Sequence, residues 1–420
     1  MIEKPNATYS EDFYRFHWPD MGIEAIVERL KEETTDIRCE LTVNSAHSIY
    51  GGRLYTGKLL LMGPNSRRDV GRLLAERQDE IDWPGLLDHI CMLARDRFRA
   101  GEPVLDLLAV PSAGVAKWVI EPFVVANGLS ILYGDGATAK SCIALWLGLR
   151  ISLNLGPVLV LDWEDGPATH AERLRAEMAG MDIEDVGAGI FYQRRAARLA
   201  DSVRDIRRII AEKGIVFVVV DSMGMAAGDP NNHDLMIECV RACRQLGIAV
   251  LGIHHLPKNA LDKTKPFGSV YASNEARLTW LVEKAQEDEA NEFTVLLTHT
   301  KSNGSKYYGK RALRLAFENE GDELVELSIA PVEVAEVPAF LPKLALWQHL
   351  RHVLNGQKLG VPEIKAVMEA DGRTVSEGSI RRAISEHRLM FVNVGGSKPA
   401  VWGLRNETGA SHEGIGANAR

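Results

Sequence analysis

Residues 131–141 read ILYGDGATAKS: an apolar run, a glycine-rich turn and a Lys-Ser pair that opens a second apolar stretch. That order is suited to binding phosphate. The backbone N–H groups of such a turn and of the helix start behind it face an anion, the lysine adds a point charge, and the hydroxyl holds Mg²⁺. Lys140 and Ser141 take the last two roles. Gly134, Asp135, Gly136, Ala137, Thr138, Ala139 and Cys142 complete the loop, so ATP with Mg²⁺ is the expected ligand. One position departs from G-x-x-x-x-G-K-[ST]: Ala139 replaces the second glycine. Its methyl costs little at negative φ and considerably more at positive φ.

Three further polar groups stand at the ends of apolar runs, where ligands of parallel α/β sheets bind. PVLVLDW at 157–163 leads into Asp162-Trp-Glu164-Asp165, and Glu164 there can position or polarise an attacking water. IVFVVV followed by Asp221-Ser222 delivers a carboxylate to where it can hold Mg²⁺ through water. IAVLGIHH at 248–255 ends in His254-His255, a place to sense a γ-phosphate by hydrogen bonding. The loop after it carries Lys258, Lys263 and Lys265 against one acid, a composition that tracks a phosphodiester backbone. Later, Lys301, Lys310, Arg311 and Arg314 put cations at the ends of other strands. Cations there can complete a neighbouring subunit's ATP site, as arginine fingers do.

These groups need a scaffold. The strands LSILY (129–133), PVLVLDW, IVFVVVD (215–221) and IAVLGIHH alternate with helical segments. Their β-branched runs predict a mostly parallel sheet covered by helices on both faces. LTWLVEK, EFTVLLTHT, RALRLAF and LVELSIA then predict a meander that extends the same sheet. Before the core, residues 1–105 read as an α+β region of unassigned role, with a polar opening, strands around 38–62 and helices at 66–78 and 84–98. PVEVAEVPAFLP is proline-spaced without helical period, which marks a linker at 333–342 after a core of 106–332. Residues 406–420 read as a disordered tail.

Residues about 110–330 resemble the RecA-type P-loop ATPase core of the hexameric replicative helicases, closest to the plasmid RepA-like group. ILYGDGATAKS, LDWEDGPATHAERLRA, VVVDSMGMAAGDPNNHD, IHHLPKN, FGSVYASNEAR and HTKSNG occur in that family's order. The resemblance implies that Glu164 is the catalytic glutamate, Asp221 the Mg²⁺-linked acid and His255 the phosphate sensor. It also implies that Lys301, with Lys310, Arg311 or Arg314, forms the region of the trans-acting finger. Ring-forming homo-oligomers, hexamers among them, are the assembly it implies, with single-stranded DNA passing through the core.

Residues 343–405 carry three helical patterns and then LMFVNVGGSKPAVWGL, two strands about a Gly-Gly turn, which is the order of a winged helix-turn-helix. Ser376 or Ser379 opens the third helix, Arg381 and Arg382 face a major groove, and Lys398 on the wing reaches phosphate. From 340 to 405 there are ten Lys/Arg against five Asp/Glu, while the chain as a whole carries −8. That polarity predicts duplex DNA as this module's partner.

Composition sets the outer limits. A 46% hydrophobic content over 420 residues suffices for two or three domains with sizeable cores. The five cysteines are scattered without metal or disulfide spacing, and Cys142 reads as a small buried helix residue. With no apolar core of signal-peptide length near the start and no run of roughly eighteen apolar residues, a soluble cytoplasmic protein is expected. The reading is an ATP-hydrolysing DNA helicase of a mobile element. The alternatives are an ATP-gated replication initiator or regulator that unwinds nothing, and a strand-exchange ATPase.

Overall fold

The alternation of IRCELTVNS at 37–45 buries every second side chain, as a strand with one face on a core must. The computed structural model describes residues 3–10, 12–48, 52–101, 104–109, 117–256, 275–285, 291–303, 307–395 and 400–405. It divides into two units, Met1–Val115 and Ala116–Arg420.

In the first unit, β1 (Asn6–Tyr9), β2 (Phe13–Trp18), β3 (Ile23–Glu32), β4 (Ile37–Ser45) and β5 (Arg53–Leu60) form one antiparallel meander in chain order. Helices α1 (Pro64–Arg77) and α2 (Trp83–Ala100) cover one face, where Phe16, Val27, Leu41, Leu74 and Ile90 share a core. The first three strands lie in the stretch read as a polar opening. In β2, polar or exposed residues alternate singly with buried Tyr14, Phe16 and Trp18, so no apolar run announces it, and β1 is exposed along its length.

The second unit begins with a small hairpin, β6 (Trp118–Ile120) and β7 (Val124–Val125). There follow β8 (Gly128–Gly134), α3 (Lys140–Asn154), β9 (Val158–Asp162), α4 (Pro167–Gly180), β10 (Ile190–Arg194) and α5 (Leu199–Lys213). Next come β11 (Phe217–Asp221), α6 (Met223–Ala227), α7 (His233–Gln245) and β12 (Ala249–His255), then β13 (Leu278–Lys284), β14 (Glu292–Ser302), β15 (Lys310–Glu320) and β16 (Glu323–Val332). The nine strands β8 to β16 join one sheet in the order β10-β9-β11-β12-β8-β13-β14-β15-β16. Pairing is parallel from β10 to β13 and antiparallel beyond it, so the meander does extend the core sheet. Strand β10 escapes sequence reading because it is an edge strand whose residues are only half-buried.

Period-two alternation assigns each side chain to a layer. Leu132, Val160, Val219 and Leu251 face α3, which is buried along most of its length, while Ile131, Leu161, Val218 and Val220 face α7 and its neighbours. Helix α4 is held against β16 by contact too close for a side chain. A Cβ on Gly180 would lie 2.3 Å from the Leu327 carbonyl oxygen. Gly180→Ala is therefore expected to destabilise the fold by about 1–3 kcal/mol, the usual cost of overpacking. Thermal unfolding followed by circular dichroism checks it.

The 333–342 stretch, expected as a linker, is packed rather than free. It forms 3-10 turns over Val334–Glu336 and Pro338–Lys343, whose Val334, Val337, Phe340 and Leu341 bury against Leu296 and Ala312 of the sheet. Its apolar spacing follows this strap geometry rather than a helix period. Beyond it stand α8 (Leu346–Val353), β17 (Leu359–Gly360), α9 (Val361–Ala370), α10 (Glu377–Glu386), β18 (Phe391–Asn393) and β19 (Val401–Leu404). The three strands pair in the order β17-β19-β18 beside a helical core of Leu350, Ile364, Ile380 and Phe391. Ser376 caps α10, its hydroxyl accepting from the Ser379 N–H at 3.1 Å. Among the described residues, no helix is long and apolar enough to cross a membrane.

Candidate nucleotide site

From β8 the chain crosses to β9, three places along, leaving β12 on one side of β8 and β13 on the other. The strand order reverses there, which opens a crevice at the carboxyl ends. Register lines up what those ends carry: Asp221 lies opposite Asp162, and His255 opposite Gly134.

The loop between β8 and α3 is tight. A Cβ at Gly134 would stand 2.3 Å from the Val282 carbonyl oxygen of β13, so only glycine fits. Ala137 and Ala139 both adopt left-handed backbone, with φ of 55° and 56°. Ala139 thus takes the costly branch of the two possibilities for its methyl. Ala139→Gly is expected to stabilise the chain by about 1 kcal/mol, the lower range of the left-handed penalty. An upward shift of the denaturant midpoint with unchanged slope reads it out.

Lys140 is buried, and its Nζ donates to the Gly134 and Asp135 carbonyls at 3.1 and 2.6 Å and to Thr138 Oγ1 at 3.2 Å. Burial pulls its pKa down to about 8, with Asp221, Asp135 and Glu164 opposing the shift. Ser141 lies beside the Asp221 carboxylate. Burial pushes the Asp221 pKa upward, and Ser141 holds it back. A buried carboxylate with a hydroxyl beside it is a fitting pair for Mg²⁺, which takes one or two protein oxygens along with phosphate and water. Cys142 is an inert packing residue, its pKa pushed up to about 12 by burial.

Glu164 reaches the crevice from the turn after β9. Its Oε1 accepts from the Ser222 hydroxyl and stands 3.6 Å from His255 Nε2. The neighbouring His255 is the largest of the influences that hold its pKa below the ordinary glutamate value, with Ser222 and the Lys140 charge adding to it. The carboxylate is ionised at neutral pH and its side chain is 38% exposed, so it is both a base and open to water.

Sequence reasoning missed what aims this turn. Asp162, fully buried, accepts from the N–H groups of Glu164 and Asp165 at 3.0 and 3.2 Å through Oδ1. Its Oδ2 accepts from the Tyr192 hydroxyl at 2.8 Å and lies 3.6 Å from His170 Nε2. Trp163 fastens the same turn, its backbone N–H on the Asp221 carbonyl at 2.8 Å and its indole N–H on Ala197 at 3.0 Å. A polar residue closing an apolar strand, as Asp162 closes PVLVLDW, is the signal in the sequence that could have found it.

The structure therefore brings together Lys140, Ser141, Glu164, Asp221 and His255. It does not bring Lys301 or Arg311 to them. Lys301 is level with Ile131 two strands from β8, and Arg311 is level with Gly134 three strands away. At the usual strand spacing, those are separations of roughly 10 and 14 Å. The Lys301 ammonium donates to the Ala276 carbonyl at 2.8 Å, Lys310 to that of Lys343, and Arg314 pairs with Glu292 at 3.1 Å. Arg311 is exposed. On α10, Arg382 is exposed and Arg381 pairs with Glu377 at 2.7 Å. Lys258, Lys263, Lys265 and Lys398 lie outside the described residues.

A family model described as an AAA domain matches residues 96–260, a segment that contains the whole of this constellation. The chain thus carries a P-loop ATPase-type domain. No curated protein matches it.

Proposed function

We propose that the chain is an ATP-hydrolysing, DNA-associated motor, a ring-forming homo-oligomeric helicase with ATP and Mg²⁺ as its cofactors. The observation that carries the hydrolytic part is the ionised Glu164, fastened by Asp162 from behind and touched by Ser222 and His255 in front. Mg²⁺ held near Ser141 and Asp221 would offset phosphate charge. The rest falls to side chains. The Lys140 ammonium, drawn from its loop carbonyls, neutralises terminal phosphate oxygens, and Glu164 orients the attacking water and accepts its proton. His255, in contact with Glu164, couples the presence of the γ-phosphate to that carboxylate. Lys301, Lys310, Arg311 or Arg314 supplies the missing cation from a neighbouring copy, and their distance from the loop of their own chain is what such sharing requires.

The DNA part of the reading rests on the basic C-terminal module. Its helix and strand order is that of a winged helix, with α10 as the helix that presents Arg381 and Arg382 to duplex. Those two exposed arginines also favour the second reading, an ATP-gated initiator or regulator that grips duplex without opening it. A forked-duplex strand-separation assay beside a duplex-binding titration across salt separates the two. ATP-dependent unwinding without sequence preference supports the motor, and tight site-specific binding with no unwinding supports the initiator.

A further inference from the structure

In the first unit, α1 and α2 leave between them a groove of about 530 Å³. Its floor is low because Gly71 and Ala75 line it one turn apart, and a Cβ on Gly71 would already touch Leu87 at 3.4 Å. The charge along it is one-sided: Arg67, Arg68 and Arg72 face a single acid, Asp88. Arg67 is committed, lying 2.9 Å from Asp88 and donating to the Leu61 carbonyl at 2.7 Å. Arg68 and Arg72 are exposed. Among the described residues, neither makes an ion pair or hydrogen bond, although Asp69 and Glu76 share their helix.

We propose that this groove binds the sugar-phosphate backbone of single-stranded DNA, with Arg68 and Arg72 as its phosphate contacts. Guanidinium groups present paired N–H donors that match phosphate oxygens, and they are less strongly hydrated than ammonium, so their transfer to a phosphodiester costs little. At an i, i+4 spacing the two stem from neighbouring points about 6 Å apart on one helix face, so both can contact phosphates of one strand. The floor of Gly71 and Ala75 accepts the sugar edge. The inference rests on the DNA-motor reading for the presence of a strand, and it assigns Met1–Val115 the task of gripping it.

Anisotropy of a labelled oligo(dT) on the full chain, titrated across salt, tests this. Each phosphate contact with a single strand contributes about 0.7 to the slope of log affinity against log salt. Arg68→Ala with Arg72→Ala should therefore flatten the slope by about 1.4 while DNA-free ATPase activity stays unchanged. The double Lys replacement should keep the slope. Should the double Ala variant lose ATPase activity, Arg72→Glu alone takes its place, with the same direction of effect. An unchanged slope in wild type and variants overturns the proposal, as does displacement of the oligonucleotide by polyglutamate more readily than by unlabelled strand. Wild type that binds no strand at all defeats the motor reading as well, whereas binding with an unchanged slope defeats only the groove.

Discussion

Glu164→Gln is expected to cut ATP turnover by about 10²- to 10⁴-fold, the range that a positioned general base contributes, while nucleotide binding stays within about twofold. The substitution keeps the size of the side chain and its capacity to accept from Ser222, which contacts Oε1. It removes the charge that takes the proton from water. Because the His255 contact is the largest influence holding this carboxylate ionised, the wild-type rate should fall on acidification only below the ordinary glutamate range. Steady-state turnover against pH, with calorimetry of nucleotide binding on the same preparations, checks both statements. Equal turnover in wild type and variant would remove Glu164 from the reaction. Asp162→Asn should mimic it in part, since an amide at that position cannot accept at both oxygens from the Glu164 N–H and the Tyr192 hydroxyl.

Lys140→Ala is expected to weaken nucleotide binding by about 10- to 100-fold, from the roughly 1.5–3 kcal/mol that a hydrogen bond to a charged group contributes. The pH dependence of the wild type is more diagnostic. Burial sets the pKa of this ammonium at about 8, below the ordinary lysine value of 10.5. In the nucleotide-free chain the charge is present below about pH 8 and lost above it, so affinity for a polyphosphate falls as pH rises through 8. Stability moves the other way. A group whose folded pKa is lowered destabilises the fold wherever it must be charged, so this penalty is fully present below pH 8 and is relieved between 8 and 10.5. Nucleotide titrations in buffers of different ionisation enthalpy should show proton uptake above pH 8, and Lys140→Ala should abolish it.

Much of the chemistry was legible because it depends on local order. A glycine turn followed by Lys-Ser says phosphate whatever surrounds it, and a carboxylate closing six apolar residues, as in IVFVVVD, is improbable on a surface. The long apolar runs of β8, β9, β11 and β12 were equally plain because both faces of those strands are buried. Half-exposed elements were not. Strand β2 alternates exposed and buried residues one by one, the edge strand β10 is only half-buried, and the 333–342 strap buries side chains without helical or strand period.

Order along the chain settled which residues are chemically able, since residue type and spacing act through the backbone that joins them. It could not settle which of them meet. That Glu164 touches Ser222, 58 positions later, follows from the direct pairing of β9 with β11 and the parallel match of Asp162 with Asp221. The positive φ of Ala139 is likewise imposed by the turn into α3, because a side chain's preference does not reveal the backbone that packing will demand. The separation of Lys301 and Arg311 from the loop comes from sheet order alone, which hydrophobic pattern leaves undetermined: every permutation of equally apolar strands buries the same surface.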